Sequence, residues 1–87
     1  MRIILVYDIS NHKNSKVMKL CQMCLNHVQN SVFEGKLTVS YLKELIEKLR
    51  KIINKEKDSI LIYTISNPKW MNKEIIGIEK NEISNFL

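Results

Sequence analysis

The chain has 87 residues, with 14 Lys and Arg against nine Asp and Glu for a net charge of +5, and 45% of its residues are hydrophobic. That length holds one domain, since domains commonly run about 100–150 residues and divide only well above that. The composition is that of an ordinary globular chain and excludes a disordered one. The longest apolar stretch, Ile3 to Tyr7, is far shorter than the roughly 18 residues of a spanning helix, and Met-Arg-Ile-Ile is no cleavable signal pattern. A soluble, cytoplasmic protein with no membrane partner is expected. Residues 1–66 read as the core of the domain and residues 67–87 as a C-terminal strand and tail.

Arg2 to Asp8 is a near-continuous β-branched and aromatic run, the signature of a central strand covered on both faces. Val17, Met18, Cys21, Cys24 and Leu25 then recur at helical spacing, which places both cysteines on one apolar helix face. His27 to Leu37 returns to extended character and predicts a strand pair with a bend or bulge at Glu34-Gly35. Thr38 or Ser40 caps a second helix, whose stripe is Leu42, Leu45, Ile46, Leu49, Ile52 and Ile53. Its outer face offers i,i+4 pairs Lys43 with Glu47, Glu44 with Lys48, and Glu47 with Lys51.

After a charged turn at Asn54 to Asp58, Ser59 to Ile65 is a second apolar strand, expected to lie beside the first. Asn67-Pro68 breaks the chain, and Glu74 to Ile78 forms a late strand before a polar tail. The order is that of an α+β, ferredoxin-like βαββαβ sandwich with an extra C-terminal strand. With both helices on one sheet face, the apolar strands still send side chains to the other. That uncovered face predicts a face-to-face homodimer.

Asp8 ends an apolar strand, where a carboxylate is costly unless hydrogen-bonded, paired or bound to a cation. The bland reading is a turn closed on the backbone of Ser10 or Asn11. The sharper one has two copies of Asp8 share a Mg²⁺ across a dimer axis, so that a bound water attacks a phosphodiester. Cys21 and Cys24 lack the further ligands of a zinc site, and a redox pair normally opens a helix, so core packing is the favoured reading. His12 and His27 have no Ser or Cys nucleophile beside them. Residues 36–57 hold a net +4, and Lys13, Lys16 and Lys19 add to a basic surface suited to phosphate backbones. Lys48, Arg50 and Lys51 are the candidates on the second helix; the competing reading is a solvated helix face. The two arginines are too few to indicate base-specific readout. A metabolite-binding module lacks support, because there is no Gly-rich loop.

Val6-Tyr7-Asp8-Ile9-Ser10, and Val28-Gln29-Asn30-Ser31-Val32-Phe33-Glu34-Gly35-Lys36-Leu37-Thr38, resemble the two signature segments of the CRISPR-associated endoribonuclease family Cas-two. Length, spacing and the strand from Ser59 to Ile65 agree, and the resemblance weakens only after Pro68. It implies a ferredoxin-like homodimer of the CRISPR spacer-acquisition complex, one such dimer bridging two integrase dimers in a heterohexamer. Duplex DNA is the implied nucleic acid, with RNA the second candidate. The family is also assigned Mg²⁺-dependent endonuclease activity. Asp8 matches its metal-ligating and catalytic Asp, with Tyr7, Ser10, Ser31 and Phe33 near the site. Asn14 and Ser15 stand where the family usually has arginines, His27 stands for another, and Asn30 replaces a Tyr. Those departures lead us to expect scaffolding more than cleavage, the alternative being an inactive adaptor in which Asp8 only shapes a turn.

Overall fold

Alternation along the first strand decides the layering. Ile3, Leu5 and Tyr7 pack into the main core with both helices, whereas Ile4 and Val6 join a second cluster on the other side. The structure is a computed structural model and describes residues 1–10, 13–67 and 70–78. Its elements are β1 (Arg2–Asp8), α1 (Asn14–Gln22), β2 (Asn26–Gln29), β3 (Val32–Lys36), α2 (Val39–Ile52), β4 (Ser59–Asn67) and β5 (Trp70–Gly77). All strand pairings are antiparallel, in the order β2-β3-β1-β4-β5. This is the ferredoxin-like βαββαβ plan with the late strand added beside β4. No helix among the described residues is long and apolar enough to cross a membrane.

Both helices lie on one sheet face because each buries a single stripe there: Val17 and Cys21 from α1, and Leu42, Leu45, Ile46 and Leu49 from α2. Thr38 is the N-cap of α2, its hydroxyl accepting the Tyr41 N–H at 3.1 Å. α1 begins without a side-chain cap and stops at Gln22, so Cys24 and Leu25 lie just past its end, contrary to the expectation that both cysteines sit within the helix. A last turn still seats them, as the Leu25 N–H donates to the Cys21 carbonyl at 2.8 Å.

The hairpin of β2 and β3 turns at Asn30 and Ser31, with Asn30 in the left-handed region at φ 43°, a conformation Asn tolerates better than most residues. The expected irregularity at Glu34-Gly35 is absent: β3 is regular there, and the register shift falls between His27 and Gln29 on β2. Gly35 serves packing instead, since a Cβ there would come within 3.0 Å of the Leu25 side chain. β5 begins at Trp70, four residues before the expected start, and pairs with β4 along its length. On the outer face of α2 the observed ion pair is Glu47 with Arg50 at i,i+3, in place of the expected i,i+4 pairs. His12, Asn11, Pro68 and the residues from Glu79 onward lie outside the described residues.

Candidate functional site

The pleat puts Asp8 on the sheet face away from the helices, in line with Ile4 and Val6, and exposed. Its cross-strand neighbour is Ser59 on β4, which in turn faces Gly77 on β5. Along this face Val6 opposes Leu61, and Leu61 opposes Ile75; Ile4 opposes Tyr63. Leu61 and Tyr63 are buried, while Met71 and Ile75 stay exposed. An apolar strip, buried at Leu61 and Tyr63 and exposed at Met71 and Ile75, therefore runs across the face away from the helices and ends at a carboxylate.

The residues grouped with Asp8 by sequence fall on different sides of it. Tyr7 and Phe33 stack with ring centroids 6.1 Å apart in the helix-side core, and His27 stacks on the other flank of Phe33 at 4.7 Å. Burial, and secondarily the Cys21 thiol, raises the Tyr7 hydroxyl above its usual value. Ser31 closes the hairpin onto β1, its carbonyl accepting the Tyr7 N–H at 3.1 Å. Ser10 turns away from Asp8: its N–H and its hydroxyl both donate to Asp58 Oδ1 at 3.2 Å.

Asp58 is the residue that sequence reasoning missed. It is fully buried, and Oδ2 accepts the Asn54 N–H at 2.8 Å while its own N–H donates to the Asn54 carbonyl. Burial works against its charge, but hydrogen bonds from the backbones of Asn54 and Ser10 and from the Ser10 hydroxyl, with the positive charge of Lys13, outweigh it and hold the carboxyl below its usual range. The Asp58 carbonyl also accepts the Ile78 N–H at 3.1 Å. One residue thus ties together the chain just after Asp8, the exit of α2 and the end of β5.

The basic candidates divide. Lys16 and Lys19 on α1 and Lys48 and Lys51 on α2 line one groove of about 470 Å³, whose remaining wall is Leu20, Met23 and Ile52. Lys13 sits at the start of α1, where its charge acts on Asp58. Arg50 points to the other flank of α2 and reaches Glu47 at 3.4 Å and Glu74 at 4.0 Å. The Cys21 thiol is pushed up to about 12 by burial and by Cys24, so it is a packed core group; the Cys24 thiol is raised by burial and drawn back by Lys48. Among the described residues no three His, Cys, Asp or Glu side chains converge on one point.

Comparison with known proteins agrees with this geometry along nearly the whole chain. Residues 1–73 match the family described as CRISPR associated protein Cas2. A Pyrococcus furiosus protein named CRISPR-associated endoribonuclease Cas2 is 43% identical over 87 residues, spanning all of both chains. The Fusobacterium nucleatum protein of that name is 38% identical over 92 positions, covering all of this chain and 87% of that one. A crystal structure of Cas2 superposes with a TM-score of 0.74 at 36% identity, over 97% of this chain and 94% of that one. Streptococcus pyogenes Cas2 at pH 6.5 gives a TM-score of 0.70 at 30% identity, over 76% and 87%. With β1 ending in Asp8 and the hairpin from Val28 to Thr38 occupying the matched region, this chain belongs to the CRISPR associated protein Cas2 family.

Proposed function

We propose that this protein is a homodimeric, nucleic-acid-binding subunit of the CRISPR spacer-acquisition machinery, one dimer bridging two integrase dimers, with a metal-dependent endonuclease site at Asp8. The observation that carries the reading is Asp8 at the end of the apolar strip on the open sheet face. Mating that face with its copy would cover the half-buried Ile4 and Val6 and the exposed Ile75, and bring the Asp8 ends of two central strands toward one axis. The relatives named as endoribonucleases support phosphodiester cleavage as the chemistry.

The exposed Asp8 carboxylate is a hard-oxygen donor, and Mg²⁺ suits such a site because it binds one or two carboxylates and keeps its waters. Asp8 would hold the ion together with the partner's copy of that carboxylate. When bound, the metal would lower the pKa of a coordinated water and polarise a phosphoryl oxygen. What the chain itself contributes is placement. The ladder from β1 to β4 fixes the Asp8 backbone, and the Asp58 clamp on Ser10 fixes the residue after next. The lysines of the helical groove supply sequence-independent attraction for the phosphate backbone.

The test pairs Asp8→Asn with the unaltered protein in cleavage of RNA and of duplex DNA across a Mg²⁺ titration, alongside co-purification with the cognate integrase and spacer integration. Asn keeps the shape and loses the charge, so cleavage should vanish with melting unchanged, while integrase binding persists. Cleavage surviving in Asp8→Asn would remove the metal site. An Asp8→Asn protein indistinguishable in every assay favours the adaptor, whose Asp8 only shapes the strand end.

A further inference from the structure

The groove between α1 and α2 carries chemistry that phosphate binding leaves unused. Among the described residues four ammonium groups surround it, no carboxylate lines it, Glu44 lying in the adjoining pocket, and none of the four lysines is ion-paired. Collecting like charges around one depression disfavours the isolated chain and attracts an anionic occupant. The floor, however, is aliphatic. Leu20 and Ile52 are half-buried, and Met23 is 73% exposed.

A nucleic acid has little use for that floor. Single strands take aromatic rings for base stacking, and guanidinium groups for bidentate pairing with phosphate or guanine. Among the described residues the groove itself offers neither a ring nor an arginine; Tyr41 lines the adjoining pocket, which shares Leu20, Met23 and Lys48. Leu, Ile and a flexible Met between two helices are instead what an amphipathic segment buries, with Met adapting to the shape of the anchor. We infer that this groove is the docking site for an acidic amphipathic segment of a partner protein, its carboxylates set between the lysines of α1 and α2 and its aliphatic side chains on Leu20, Met23 and Ile52. The inference is independent of the Asp8 site. Because a phosphate backbone uses the same ammonium groups, peptide and DNA compete for the groove.

The intact protein is titrated, by fluorescence anisotropy, into a labelled peptide of roughly three helical turns with Leu at i, i+3, i+4 and i+7 and Glu elsewhere. A scrambled peptide of the same composition and a labelled DNA duplex serve as comparators. The amphipathic peptide should bind at least about tenfold tighter than the scrambled one, and Met23→Gln should weaken it about tenfold while leaving duplex affinity unchanged. Lys19→Gln with Lys51→Gln should weaken both ligands. Met23 is exposed, so its replacement leaves the core intact, which melting of the variant verifies. No peptide binding up to about millimolar protein, or peptide affinity unmoved by Met23→Gln, overturns the inference. Equal loss of peptide and duplex in Met23→Gln assigns the groove to nucleic acid and overturns it as well.

Discussion

One oxygen of the Asp58 carboxylate accepts both the backbone N–H and the hydroxyl of Ser10, at 3.2 Å each, across 48 residues of chain. The other oxygen takes the Asn54 N–H at 2.8 Å. Asp58→Asn must turn an amide NH₂ toward one of these donors. Leaving a buried donor unsatisfied costs about 1–3 kcal/mol, so urea unfolding should show a loss of that size. The pH dependence has a definite sign. Asp58 has a lowered folded pKa, so its contribution is complete above the ordinary carboxylate value and is lost as pH falls through the folded one. Acid unfolding should accordingly start at higher pH in Asp58→Ala than in the unaltered protein.

Cysteine alkylation checks the packing of α1. With its thiol raised to about 12 and fully buried, Cys21 should resist iodoacetamide at neutral pH until the protein unfolds. Cys24 is half-buried and should react slowly, faster than Cys21. Mass spectrometry of the labelled peptides separates the two; prompt labelling of Cys21 in folded protein would contradict the core assignment.

The open sheet face makes its own prediction. Ile75→Lys puts an ammonium in the strip beside Leu61, where a mated copy would have to desolvate it. Light scattering at micromolar concentration should give twice the 10.3 kDa chain mass for the unaltered protein and the single mass for the variant. The unaltered protein scattering as one chain would remove the face-to-face arrangement.

DNA affinity should separate the two flanks of α2. Lys48→Gln with Lys51→Gln should weaken duplex binding and flatten its salt dependence, by about 0.9 in log–log slope for each phosphate no longer neutralised. Arg50→Gln should leave both nearly unchanged, because Arg50 faces Glu47 and Glu74 on the opposite flank. Filter binding across a salt series distinguishes the outcomes.

What could be read in the chain was whatever repeats with a period. The run Arg2 to Asp8, the α2 stripe from Leu42 to Ile53 and the apolar Ser59 to Ile65 report burial directly, and from them the second helix, the central strands and the apolar second face follow. Asp58 was invisible for a physical reason. It stands in Asn-Lys-Glu-Lys-Asp, which reads as a solvated charged turn, and the partner that permits its burial is Ser10, far away in sequence. The early part of β5 was hidden because an edge strand tolerates the polar Asn72 and Lys73 that a central strand would exclude. The division of the basic residues needed the helix phase and the approach of α1 to α2. Lys51 and Arg50 are chain neighbours, yet they serve opposite flanks.

Gly77 adopts φ +92°, and a Cβ there would lie 2.1 Å from the Asp58 carbonyl oxygen. Gly77→Ala should therefore detach the end of β5 from Asp58 and destabilise the fold, as measured by calorimetry, by more than the roughly 1–2 kcal/mol of the backbone conformation alone.

The strand order β2-β3-β1-β4-β5 also fixes what the chain exposes while it is being made. β1 leaves the ribosome first and takes the middle of the sheet, so it waits for both neighbours, and β4 arrives long after β3. During that interval one flank of β1 is an open ladder between two apolar faces, a surface on which nascent chains associate. β4 closes it and inherits the same exposure along Ile60 to Tyr63. β5, the last of the described elements, moves the open edge onto a strand with Asn72, Lys73 and Glu74 exposed to water. A chain stopped before Trp70 would lose Ile76 from the core, and with it the strand that makes the finished edge polar.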